Sequence, residues 1–192
     1  MISHLRPAIV ATVFFTLLLG VAYPLTVTGI ASLAFPFQAG GSMLRDGGRV
    51  VGSALVGQPF SEARYLHPRP SAAGSGYDAS ASSGSNYGPL NPDLIARARA
   101  DAEAVRAADG VARPPADAVT ASASGLDPDI SPAYARVQAA RIAVARGVPA
   151  EQVQAVIEQS IQAPVLGFLG QPKVNVLMTN RLLDRRFPAA KD

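Results

Sequence analysis

Hydrophobic positions in this chain follow two regimes. From Ala8 to Phe37 they run almost without a break, interrupted mainly by the hydroxyls of Thr12, Thr16, Thr26, Thr28 and Ser32. No Asp, Glu, Lys or Arg stands between Arg6 and Arg45. A helix needs about 20 apolar residues to cross about 30 Å of hydrocarbon, and this run exceeds that. Isolated Thr hydroxyls bond back to the helix backbone and do not spoil the span. Pro24 removes one amide donor and predicts a kink. Gly20, Ala22, Gly29 and Ala31 would let a neighbouring helix approach closely. Gly20-Val21-Ala22 has the small-x-small pattern of a signal-peptide cleavage site. Pro24 follows it at once and the apolar run continues, so the segment reads as an uncleaved anchor.

Beyond Phe37 the pattern becomes short and periodic. It predicts residues 1–37 as a transmembrane anchor and 38–192 as one mixed α+β soluble domain. Glycine-bounded Arg49–Gly57 reads as a strand. Residues 61–92 are rich in Gly, Ser, Pro and Tyr and read as a long loop, docked through Tyr65, Tyr77 and Tyr87. Asn91-Pro92 opens a helix that Gly110 stops, with Ile95, Ala98, Ala102 and Val105 inward. Arg97–Asp101 and Arg99–Glu103 then pair on its solvated side. Ser131-Pro132 opens a second helix, with Tyr134, Val137, Ala140 and Val144 on one face and Gly147 as its stop. A third runs from about Pro149 to Ile161, with Val153, Val156, Ile157, Ser160 and Ile161 inward, and Pro164 ends it. Lys173–Leu177 alternates like a strand, and Leu182, Leu183 and Phe187 suggest a closing helix.

Composition narrows the chemistry. The net charge of +3 comes from interspersed basic and acidic residues, so nothing resembles a nucleic-acid surface. There is no Cys, which removes disulfides, thiol nucleophiles and thiolate metal sites. His4 and His67 are the only histidines, too few for a His-rich metal centre. Asp127-Pro128-Asp129-Ile130-Ser131 starts like a calcium loop, but Pro132 and Gln138 stand where Gly and Glu are needed. It reads as a turn and helix cap. Gly74-Ser75-Gly76-Tyr77-Asp78-Ala79 matches GxGxxA without the flanking strand and helix that a dinucleotide requires. No phosphate-binding GxxxxGK[ST], no GxSxG elbow and no nucleophile–base pair is present. The chain therefore reads as non-catalytic, with no catalytic and no metal residue. Thr120, Ser122 and Ser124 alternate and would line one face of an extended segment, bonding to a partner or, more simply, to the domain's own backbone.

Several motifs then combine. They are Leu5-Arg6-Pro7-Ala8, Tyr23-Pro24-Leu25, Gln38-Ala39-Gly40-Gly41-Ser42, Gly52–Gln58, Arg69-Pro70-Ser71-Ala72, Gly84-Ser85-Asn86, Asn91-Pro92, Val119–Asp127, Gly170-Gln171-Pro172 and Val174-Asn175-Val176. In order and spacing the chain resembles, end to end, the C subunit of Kdp, the bacterial high-affinity ATP-driven potassium uptake system. The resemblance implies a single-pass inner-membrane protein with a periplasmic soluble domain. Its partners would be a channel-like potassium-binding subunit, a P-type ATPase subunit and a small membrane subunit. It also implies an accessory role in assembly, and that of a catalytic chaperone raising the ATPase subunit's affinity for ATP. ATP and potassium would then act in the complex, with no cofactor held by this chain alone. By the same resemblance Gln138 is a nucleotide candidate; its sequence neighbourhood reads instead as a solvated helix position beside Arg141. Charge does not set the orientation, since Arg6 precedes the span and Arg45 and Arg49 follow it. The competing reading is an independent membrane-tethered periplasmic adaptor or binding module.

Overall fold

The computed structural model describes residues 4–188. It divides into two compact units, Met1–Val51 and Gly52–Asp192. The first contains one continuous helix, α1, over Leu5–Ala34, long and apolar enough to cross a membrane. The turn before Pro24 is widened: Leu18–Ala22 is π-helical, and the Tyr23 amide reaches back to the Leu18 carbonyl. That is how the helix accommodates a proline that offers no donor. The Thr26 hydroxyl donates to the Ala22 carbonyl at 2.8 Å, as expected for an apolar-span hydroxyl. Phe35 leaves helical geometry, and a single turn, α2 (Pro36–Ala39), follows. Strands β1 (Met43–Asp46) and β2 (Arg49–Ser53) form a hairpin turned at Gly47-Gly48. The strand expected over Arg49–Gly57 thus ends at Ser53, where the chain turns and the Ser53 hydroxyl accepts from the Leu55 amide.

The second unit is an α+β fold. Helix α3 spans Pro92–Asp109, with the Asn91 side chain accepting from the Asp93 amide and left-handed Gly110 closing it. The expected caps are right, but the inward stripe is not wholly so. Ile95 is exposed and Leu94 half-buried, while Arg97 and Asp101 are half-buried as well as paired, rather than solvated. A short turn, α4 (Ala116–Val119), leads on to strand β3 (Asp129–Ile130). The predicted second helix is in fact two, α5 (Pro132–Val137) and α6 (Ala139–Arg146), joined at Gln138. Left-handed Gly147 ends α6 as expected.

The buried face of this pair is Tyr134, Ala135, Gln138, Ala139, Ile142 and Ala143. Ala140 and Val144, expected inside, lie outside, and Val144 is 85% exposed. Once Gln138 faces inward, the 3.6-residue repeat carries Ile142 with it and turns Val144 to solvent.

Helix α7 (Ala150–Ser160) buries Val153, Val156 and Ile157. It stops at Ser160, because Ile161–Gln162 becomes strand β4. Strand β5 covers only Lys173–Asn175. Helix α8 (Val176–Arg186) then starts at once, so Val176 and Leu177 are helical rather than extended. Asn175 causes the switch: its Oδ1 accepts from the Met178 amide at 3.0 Å as a helix cap. The sheet is antiparallel in the order β3-β5-β4, pairing Ile130 and Ile161 with Val174. Val174 and Ile130 join Leu66, Ile142, Val153, Val156, Ile157 and Leu183 in the core.

Candidate functional site

A dense set of hydrogen bonds holds the start of the long loop. Leu66 and His67 are consecutive, and a different carboxamide grips each one. The Leu66 amide donates to Asn180 Oδ1 at 2.7 Å, and Asn180 Nδ2 donates back to the Leu66 carbonyl at 3.0 Å. The His67 amide donates to Gln138 Oε1 at 2.7 Å, and Gln138 Nε2 returns a bond to the His67 carbonyl at 3.1 Å. Each side chain imitates a paired strand, satisfying a donor and an acceptor that burial would otherwise strand. Gln138 is fully buried and Asn180 almost so. Gln138 is therefore no solvated residue, although it does lie beside Arg141 as expected. Both ends of its amide are engaged within the fold.

Two arginines complete the clasp. Arg141 donates through Nε to Asp109 at 2.7 Å, through one terminal nitrogen to the carbonyls of Ala63 and Tyr65, and through the other to Gln138 Oε1. The Arg141 and Asp109 side chains are only 9% and 3% exposed. Arg146 donates to the Arg64 carbonyl, the Phe187 carbonyl and Asp184. Asp184 also accepts from the Tyr65 hydroxyl at 3.2 Å, and the Arg64 and Arg146 guanidinium groups lie against the Tyr65 ring. Guanidinium suits this task, since its planar fork reaches several carbonyls at once.

The rest of the loop is held against residues 120–127. Arg69 pairs with Asp127 at 2.8 Å, and the Pro70 carbonyl accepts from the Ser122 amide. The Ser71 hydroxyl donates to the Gly125 carbonyl and accepts from the Tyr77 amide, while the Tyr77 hydroxyl donates to the Arg69 carbonyl at 2.6 Å. Ser122 and Ser124 hydroxyls accept from the Gly125 and Leu126 amides. The Ser122 and Ser124 hydroxyls thus bond to their own domain's backbone as expected, but the three residues do not share a face: Ser122 is buried, Thr120 and Ser124 are exposed, and the chain bends between Ser122 and Gly125. The docked-loop expectation holds for Tyr65 and Tyr77, whereas Tyr87 is exposed. The Asp127–Ser131 segment is the expected turn and cap: Asp127 accepts from the Asp129 amide, and Ser131 caps α5 at Tyr134. The Gly74–Ala79 stretch is a turn within the loop, with Asp78 bonding Ser80. Among the described residues, no His, Cys, Asp and Glu side chains cluster in a way that would hold a metal ion.

The sequence singled out Gln138 but missed Asn180, Arg141, Arg146 and Asp109. One signal was available for Asn180. It interrupts the apolar stripe Val176, Leu177, Leu183 of its helix, and a carboxamide at a core position needs a specific partner.

Burial sets the titration of this region. It pushes His67 below its usual value, with the Arg141 charge acting the same way. Burial, with the negative charge of Asp109, pushes Tyr134 up to about 12. Tyr77 is raised chiefly by burial as well. The signs define two limits. Below the unfolded His value of 6.5 the unfolded chain binds more protons than the folded one, so stability falls as pH drops. Above the unfolded Tyr value of 10.0 the unfolded chain has released protons that folded Tyr134 and Tyr77 retain, so stability falls as pH rises. Melting temperatures measured from pH 5 to 11.5 are expected to peak between these limits. Tyr134→Phe should flatten the alkaline limb; an unchanged alkaline slope would refute this assignment.

One helix fit for a single membrane crossing, joined to an α+β unit whose buried polar groups clasp its own loop, defines a class. It is a chain with one apolar helix consistent with single-pass membrane anchoring, followed by a single α+β unit. A family model described as "KdpC: K+-transporting ATPase, c chain" matches residues 5–185. The potassium-transporting ATPase KdpC subunit of Caulobacter vibrioides (strain NA1000 / CB15N) is 64% identical, over 98% of this chain and 96% of its own. That of Beijerinckia indica is 58% identical over 98% and 96%, and that of Myxococcus xanthus 53% over 100% and 90%. The chain belongs to the KdpC family, accessory rather than catalytic subunits of the potassium-transporting ATPase.

Proposed function

We propose that this chain is anchored in the bacterial inner membrane by α1 and holds its second unit in the periplasm. There it would assist assembly of the complex and raise the ATPase subunit's affinity for ATP. Its partners would be the channel-like potassium-binding subunit, the P-type ATPase subunit and the small membrane subunit. The family match along residues 5–185 carries this reading. ATP is cytoplasmic, so a periplasmic unit acts on its binding through the partner subunits. Gln138 would contribute by holding the loop in shape; its amide is fully engaged with His67 and Arg141.

Orientation is tested by single cysteines in a chain that has none. In intact spheroplasts, an impermeant thiol reagent is expected to label Ser83→Cys and not Ser3→Cys; the reverse pattern overturns the periplasmic placement. For the chaperone role, the ATPase assembled with this chain is expected to reach half-maximal rate at a lower ATP concentration than the ATPase without it. An equal ATP requirement would remove that role and leave assembly alone. An independent adaptor would be indicated if the detergent-solubilised chain were recovered without ATPase subunits.

A further inference from the structure

Between β4 and β5 the second unit extends an apolar finger. Val165, Leu166, Phe168 and Leu169 are 68%, 78%, 73% and 52% exposed. Single exposed apolar residues are ordinary, but four within five positions form a patch that marks a contact site. The finger is closed on itself. Val165 and Leu169 exchange amide–carbonyl bonds at 3.0 and 2.9 Å, the Gly167 amide donates to the Pro164 carbonyl, and the Phe168 amide donates to that of Val165. No charged residue stands between Glu158 and Lys173. Leu166 has φ of 56°, a left-handed conformation unfavourable for a branched apolar residue.

These features separate the possible occupants. A bilayer surface selects for apolar side chains edged by Lys, Arg, Trp or Tyr, and is indifferent to the shape that presents them. Here that edging is missing from the finger, and the shape is maintained against backbone preference. A rigid, uncharged knob tipped by an aromatic ring suits an apolar socket in another protein, because little conformational freedom is lost on docking. Resting on the family reading above, we infer that the 165–169 finger plugs into an apolar socket on a neighbouring subunit of the potassium-transporting ATPase, with Phe168 as its central anchor.

The test uses the full chain, co-expressed with the ATPase subunits and purified in detergent. Phe168→Ser combined with Leu166→Asn is expected to reduce the chain's retention on the tagged ATPase at least tenfold. Its melting temperature should not fall below wild type, since the replaced side chains are exposed and Asn tolerates the left-handed backbone at position 166. Val144→Ser, an equally exposed site on α6, should be retained normally. With the photocrosslinker p-benzoylphenylalanine in place of Phe168, the adduct is expected on an ATPase subunit. Adducts only with lipid, only with a second copy of this chain, or with nothing overturn the inference, as does undiminished retention of the double variant. If the wild-type chain itself is not retained, the subunit reading fails instead, so the two failures are distinguishable.

Discussion

Replacing Arg141 with methionine is expected to lower the unfolding free energy of the second unit by about 3–5 kcal/mol, the usual consequence of removing one partner from a buried ion pair. The reason is what the substitution leaves behind. Asp109, 3% exposed, would keep its charge without its guanidinium partner, and the Ala63 and Tyr65 carbonyls would lose a donor. Removing the stranded charge should recover part of the loss, so Arg141→Met with Asp109→Asn is expected to be more stable than Arg141→Met alone. Thermal unfolding of the full chain in detergent would show this as a partial return of the melting temperature. If the second change only adds to the first, the pair is not what holds the loop.

Gln138→Ala comes next in size. It leaves the His67 amide, the His67 carbonyl and one Arg141 nitrogen without partners in a partly buried setting around the fully buried Gln138 position. Buried groups left unsatisfied cost about 1–3 kcal/mol each, and partial rescue by water makes about 3 kcal/mol a reasonable total. For a unit of this size that corresponds to a melting temperature lowered by roughly 6–12 °C. Asn180→Ala should behave alike at Leu66. Because the two amides hold consecutive residues of one segment, the double variant is expected to lose less than the sum. Limited proteolysis should find new cuts within residues 61–70 in either variant. A loss under about 0.5 kcal/mol, the range of ordinary surface changes, would show that the clasp is not a stabilising element.

Local signals in the sequence were legible where they depended on neighbours in the chain. The charge-free run announced α1, and Asn91, Gly110, Ser131 and Gly147 marked helix ends that the structure reproduces. What could not be read was which side of a helix faces inward once a polar residue belongs to the core. Residue type assigns Gln138 to solvent and passes over Asn180, although it stands on an apolar stripe. Their burial depends on a loop more than 70 positions away in one case and more than 110 in the other. The same long-range pairing turned Val144 outward. Strand lengths were over-read for a different reason: Val176 and Leu177 have strand-like side chains, but the Asn175 cap commits them to a helix. Of the site, Gln138 stood out only through family resemblance, and the arginines not at all, since several of their partners are backbone carbonyls that carry no residue signature and their carboxylate partners, Asp109 and Asp184, lie 32 and 38 positions away.

The widened turn at Leu18–Ala22 has a further consequence for the anchor. A π-helical turn holds about one residue more than an α-helical one, and each residue of an α-helix is worth about 100° of rotation. The stretches before and after this turn therefore behave as two screws coupled with a fixed angular offset. A one-residue deletion there would leave length and hydrophobicity adequate for a crossing, yet would rotate the far half against the near one. Residue count in that turn is thus a constraint in its own right, blind to hydropathy, and it governs how the far stretch of α1 is rotated about the helix axis relative to the near one.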